Sequence, residues 1–147
     1  MRLREPLPEW NTEAYWLNSG PIYRSELIGE KPVLIYFWSI SCKTCTRGIE
    51  RVKELFNEYK DQLHIITIHL PRNEHDKNLE AVKQYVEKYQ ITEPVLIDQD
   101  HQVTNQFKNR YVPAFYLFDQ TGKLRYVQSG KSTTSLLKKR IVRLVNG

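Results

Sequence analysis

Cysteine is nearly absent from this chain. Only Cys42 and Cys45 occur, and no second C-x-x-C or H-x3-H pair accompanies them. A closed zinc site takes about four nitrogen or sulfur ligands, and His64, His69, His75 and His101 are scattered along the sequence, so neither a metal nor another cofactor is expected. Long apolar runs are missing as well. The longest, Val33 to Trp38, falls far short of the ~20 residues a membrane-spanning helix requires. The opening MRLREPLPEW follows its arginines with a glutamate and two prolines, and no apolar stretch comes after. A secretory leader would need one, so the expected location is the cytoplasm, away from membranes. No block of one charge sign dominates either, because Lys and Arg mix with Asp and Glu to a net charge of +5. That excess does not call for a nucleic-acid partner. The one dense basic stretch, Lys138, Lys139, Arg140 and Arg143, fits the solvated face of a C-terminal helix. Repeats, linkers and low-complexity segments are lacking, so residues 1–147 are expected to form one domain, a monomer, with residues 1–30 as an N-terminal extension.

What is present suffices for a core: 40% of the 147 residues are apolar and 12% aromatic. Val33-Leu-Ile-Tyr-Phe-Trp38 is apolar throughout and bounded by Lys31-Pro32 and a serine-rich turn, as in a strand buried on both faces. After Cys42 the apolar residues Ile49, Val52, Leu55, Phe56 and Tyr59 recur at helical spacing, so a long helix starts at the cysteines. His64 to Leu70 is rich in β-branched residues and closed by Pro71, which reads as a second, parallel strand. Leu79, Val82, Tyr85, Val86 and Tyr89 mark another helix, and Pro94 to Ile97 a short strand, so about residues 71–98 form an inserted βα unit. Val103 to Phe107 is a short helix. Pro113 then opens a strand over Ala114 to Phe118, which Asp119-Gln-Thr-Gly122 turns into a hairpin with Leu124 to Gln128. A last helix runs from roughly Thr133 to Val145, with Gly130 and Ser132 as turn and cap, and Tyr15 to Tyr23 around Asn18-Ser-Gly20 reads as an N-terminal hairpin.

The chemistry lies in Cys42-Lys-Thr-Cys45. A thiol must ionise to attack a disulfide, and the first turn of a helix offers unpaired N–H groups and a dipole that stabilise the thiolate. Two cysteines on one turn can close a short disulfide, and the second can resolve a mixed disulfide made by the first. Lys43 adds positive charge and Thr44 stands where a proline is common, so both bear on the balance between thiolate and disulfide. The Cys42 thiol is expected to ionise below a free cysteine. Val112-Pro113 is the second feature, since a proline ordinarily weakens an interior strand. The sequence leaves cis or trans open, and a cis bond would offer the Val112 backbone to an extended peptide.

FWSISCKTC, a helix, a unit ending PVLIDQDHQV, and YVPAFYLFDQTGKL together resemble the thioredoxin superfamily, in particular its TlpA/ResA-like branch, from about residue 30 to the C-terminus. The resemblance implies an α/β thioredoxin-like fold, a mixed central sheet flanked by helices on both faces. It further implies thiol-disulfide oxidoreductase activity, with Cys42 an exposed nucleophile, Cys45 a buried resolver, Pro113 a cis-proline facing them and Trp38 packed against the site. Disulfide-containing proteins would be the substrates, and a thioredoxin reductase or another dithiol protein the electron donor. Three positions depart from the pattern: Tyr36 replaces a buried aspartate, Gly48 an active-site glutamate, and Ser41 a tryptophan. His69 and Glu93, near strand ends, read as exposed loop residues rather than site members.

Two other functions fit parts of the sequence. A peroxiredoxin-like peroxidase would place Ser39 three residues before its reactive cysteine, yet Ile35 stands where that motif carries proline. A thioredoxin-like binding protein would hold a client or a soft metal such as Cu(I) on the thiolates without turnover.

Overall fold

Six apolar side chains in a row cannot share one face of a strand, because successive residues point to opposite sides. Val33–Trp38 therefore requires cover above and below. In a computed structural model, which describes residues 1–10, 13–129 and 134–147, this segment is strand β2 and all six residues are fully enclosed. The other elements are β1 (Tyr15–Leu17), α1 (Arg24–Leu27), α2 (Cys45–Tyr59), β3 (His64–His69), α3 (Leu79–Lys88), β4 (Val95–Ile97), α4 (Gln102–Phe107), β5 (Ala114–Phe118), β6 (Leu124–Ser129) and α5 (Thr134–Asn146). A 3-10 turn, His75–Lys77, precedes α3.

The strands form one mixed sheet in the order β1-β4-β3-β2-β5-β6. The β2–β3 and β3–β4 pairs are parallel, whereas β2–β5, β5–β6 and β1–β4 are antiparallel. On one face Leu34, Tyr36 and Trp38 pack with Ile49, Val52 and Leu55 of α2, Val82 of α3, and Leu137 and Ile141 of α5. On the other, Val33, Ile35 and Phe37 pack with Leu27 of α1, Val103 and Phe107 of α4, and Leu7 and Trp10 from the N-terminal segment. Because β2, β3 and β4 are parallel, the loops that leave them gather at one end of the sheet, where open α/β sheets carry their sites. Antiparallel β5 begins at that same end.

Two details correct the sequence reading. The expected N-terminal hairpin does not form: Tyr15–Leu17 is a single strand and pairs with β4, Trp16 opposite Leu96. Asn18 takes a left-handed conformation (φ 68°), and its side-chain amide donates to the Ile91 and Glu93 carbonyls, which turns the chain away before a second arm can pair. Helix α2 begins at Cys45, with Thr44 as N-cap, so Cys42 lies just before the helix rather than in its first turn. Of the expected features of the last helix, Gly130, Ser132 and Thr133 lie outside the described residues.

Candidate active site

Cys42 and Cys45 are joined by a disulfide, with their Cα atoms 5.4 Å apart. The Cys45 N–H donates to the Cys42 carbonyl at 3.2 Å, and the Thr46 N–H to that of Lys43 at 3.4 Å. These turn-like bonds lead the loop into α2. Cys45 is fully enclosed, and Cys42 retains 3% exposure. The exposed nucleophile expected from the resemblance is thus largely covered in the disulfide state, with its sulfur 3.5 Å from Thr44 Oγ1. Lys43 and Thr44 themselves are exposed. Trp38 closes the floor of the core, edge-on to His69 at 4.9 Å between ring centroids. Ala114 pairs with Phe37, so Pro113 sits beside the end of β2 from which the cysteine loop leaves. Pro113 is buried, Val112 is half-buried, and the bond between them is cis.

Tyr36 replaces a charge under this site with a neutral donor. Its hydroxyl donates to the Cys45 carbonyl at 2.9 Å, and its ring stacks on Phe115 at 4.5 Å. Burial pushes the phenol well above its ordinary pKa, so the hydroxyl keeps its proton. Gly48 makes the room: a methyl group there would overlap the Tyr36 hydroxyl and stand 2.7 Å from ring atom Cζ.

Every residue between β2 and Cys42 is bonded to the last residue of β3 or to the segment that follows it. The Ser39 hydroxyl donates to the Leu70 carbonyl, which fixes the serine singled out for a peroxidase motif in a structural bond. The Ile40 N–H donates to His69 Nε2 at 3.1 Å. The Ser41 hydroxyl donates to Asp76 Oδ2 at 2.7 Å, and Arg72 donates through Nε to Ser41 Oγ (3.1 Å) and through Nη2 to the Ser41 carbonyl (2.8 Å). Asp76 is fully enclosed and also accepts the Arg72 N–H at 2.8 Å. Sequence reasoning missed Arg72 and Asp76. The usable signal for Arg72 was its place just past a parallel strand end, whereas Asp76 carried none.

His69 and Glu93 are not exposed loop residues. Both are buried: His69 ends β3 inside the sheet, and Glu93 lies in the enclosed connection just before β4. Glu93 precedes Val95, which pairs with Thr67, so it lies roughly 13 Å along the strand direction from the level of His69. The structure does not bring it to the disulfide. Burial raises the Glu93 carboxyl above its ordinary pKa. For His69, burial pushes the imidazole down from 6.5 to about 4, and the Asp76 charge pulls weakly the other way. A neutral ring is what the Ile40 N–H bond needs, since a protonated Nε2 could not accept it.

The sign of the resulting pH dependence follows from linkage. Between pH 6.5 and about 4 the unfolded chain binds a proton at His69 that the folded chain refuses, so this stability is complete above 6.5 and lost as the pH falls through that window. The expected loss from pH 7 to 4.5 is about 2.5 kcal/mol. Glu93 acts with the opposite sign, so the test is a difference: urea unfolding at both pH values should show wild type losing about 2.5 kcal/mol more than His69→Gln. Equal losses would show that His69 is not held neutral.

The model of the AhpC/TSA family matches residues 4–127. The thiol-disulfide oxidoreductase YkuV of Bacillus subtilis (strain 168) is 46% identical over 145 residues, covering 99% of this chain and 97% of that one. The chain belongs to the thioredoxin-like AhpC/TSA family. The thiol-disulfide oxidoreductase ResA of Geobacillus kaustophilus (strain HTA426) is 30% identical over 104 residues, 70% of this chain and 57% of its own. A thioredoxin-like protein solved in solution in its oxidised form superposes with a TM-score of 0.91 at 45% identity, covering 99% and 98% of the two chains. Within the AhpC/TSA family this chain is thus a thiol-disulfide oxidoreductase, and its substrates carry disulfides. Among the described residues, no helix is long and apolar enough to cross a membrane.

Proposed function

We propose that the chain is a reductant of protein disulfides in the cytoplasm, acting as a monomer through Cys42 and Cys45. The observation that carries this reading is the asymmetry of the pair: Cys42 lies in the loop before α2, while Cys45 is the first helical residue and fully enclosed. The small exposure the pair retains belongs to Cys42, so that is the sulfur a client would meet first. In the dithiol form, the Cys42 thiolate attacks one client sulfur, forming a Cys42–client bond, and the other client sulfur leaves with the electron pair and takes a proton. Cys45 then gives up its proton and attacks Cys42 Sγ, expelling the second client thiolate. The client gains two electrons and two protons, and the protein is left with the disulfide. A thioredoxin reductase or another dithiol protein returns it to the dithiol form.

Several features support these roles. Thr44 borders the Cys42 sulfur and Lys43, next in the chain, is exposed, and Val112-Pro113 lies at the sheet end where the cysteine loop leaves, a place for an extended client segment to align. Trp38 gives the loop a rigid floor. Net reduction fits a compartment whose thiol pool keeps such pairs in dithiol form. The test is insulin reduction followed by turbidity, with the midpoint potential from glutathione and dithiothreitol buffers. Turnover of insulin with a potential below that of the glutathione couple supports the reading, whereas a well-folded protein that reduces no test disulfide removes it.

A further inference from the structure

The segments that flank the disulfide and the end of β3, residues 39–48 and 70–73, carry cations and no carboxylate, and one of those cations is fixed in place. We infer that Arg72, held on Ser41, together with Lys43, selects client disulfides flanked by acidic residues; this rests on the disulfide-reductase reading and adds its substrate class. Ser41 and Lys43 are the chain neighbours of Cys42. Arg72 donates two bonds to Ser41, at 3.1 and 2.8 Å, so its guanidinium is held on the residue that precedes Cys42 while Arg72 remains exposed. Lys43, the residue that follows Cys42, is exposed. Arg47, one turn beyond Lys43, is exposed too.

No carboxylate occurs in residues 39–48 or 70–73. The acidic groups that follow are engaged elsewhere: Asp76 is enclosed and bonded to Ser41 and to the Arg72 N–H, and Glu74 pairs with Lys77 at 3.4 Å. The reactive cysteine thus has an exposed cation tied to each of its chain neighbours, Arg72 held on Ser41 and the side chain of Lys43 itself. An arginine anchored by part of its fork keeps its charge and its remaining N–H groups for a carboxylate, and it loses less side-chain freedom on docking than a free one. Such charges at the rim of a contact act mainly on encounter rate and partner choice.

The probes are three short synthetic peptides, each closed by one disulfide, with glutamate, glutamine or lysine on both sides of the cysteines. Their reduction by the full-length dithiol protein is followed at low and high salt. The expected order of second-order rates is Glu above Gln above Lys, with about a tenfold spread at low salt that collapses in 0.5 M NaCl. In Arg72→Gln the Glu-to-Lys ratio should drop to about threefold or less, as one of the two flanking charges is gone. A ratio is the readout because any effect of Arg72 on Cys42 thiol ionisation changes all three rates together. Lys139→Gln, which removes an exposed cation on α5, should leave the ratio as in wild type. Equal rates for the three peptides would overturn the proposal, and an unchanged ratio in Arg72→Gln would overturn the role of Arg72. Failure to reduce any peptide would instead remove the reductase reading itself.

Discussion

A Cys45→Ser chain offered a disulfide-bearing protein is expected to stop halfway, accumulating a covalent complex through Cys42. The geometry explains why the arrest should be nearly complete. Cys45 is the first residue of α2, its Cα 5.4 Å from that of Cys42 and its carbonyl held by the Tyr36 hydroxyl. With Cys42 bound to a client, it is the one cysteine left in the chain. A serine hydroxyl at that place is too weak a nucleophile to attack the Cys42–client disulfide, so turnover should fall on the order of a thousandfold or more while the first attack continues. Cys42→Ser should lose turnover to the same degree and trap nothing. Non-reducing electrophoresis with insulin, together with circular dichroism to verify folding, separates the two. Covalent complexes formed by Cys42→Ser instead would reverse the assigned roles.

Gly48→Ala is expected to destabilise the protein although it puts a better helix former inside a helix. At an exposed helical position that change gains up to about 1 kcal/mol. Here the new methyl has no space, because the Tyr36 hydroxyl and ring already occupy it and the ring is pinned by Phe115 and the surrounding core. Overpacking of this kind costs about 1–3 kcal/mol, so the sign inverts. Tyr36→Phe in the same chain removes the atom that overlaps most and should recover part of the loss, giving a favourable coupling in a double-mutant cycle measured by urea unfolding. Additive effects, or a stabilised Gly48→Ala, would show that the two residues do not share the space.

That pair also shows where the sequence was and was not readable. β2 could be read because six apolar residues between a proline and a serine-rich turn admit few other conformations. The cysteine motif gained its meaning from the strand before it and the helix after it. Tyr36 and Gly48 stood out only as departures from a family pattern, since their complementarity spans twelve positions and appears only once α2 lies on β2. The bonds from Arg72 and Asp76 to Ser41 join segments more than thirty residues apart, and no local spacing encodes them. The N-terminal segment misled for a related reason: Asn18-Ser-Gly20 has turn chemistry, but Tyr15–Leu17 finds its partner in β4, far along the chain. His69 and Glu93 were misplaced because strand ends were read as loop ends, whereas neighbouring strands and helices cover them.

The β1–β4 pairing has a consequence for how this protein coexists with its own copies. Val95-Leu96-Ile97 is a wholly apolar strand, and without β1 it would bound the sheet with open backbone donors and acceptors, the kind of border that recruits foreign strands. β1 takes up that border with only three residues and offers in turn a rim too short to template much growth. An N-terminal segment remote from the cysteines thereby serves as a guard against sheet-to-sheet association.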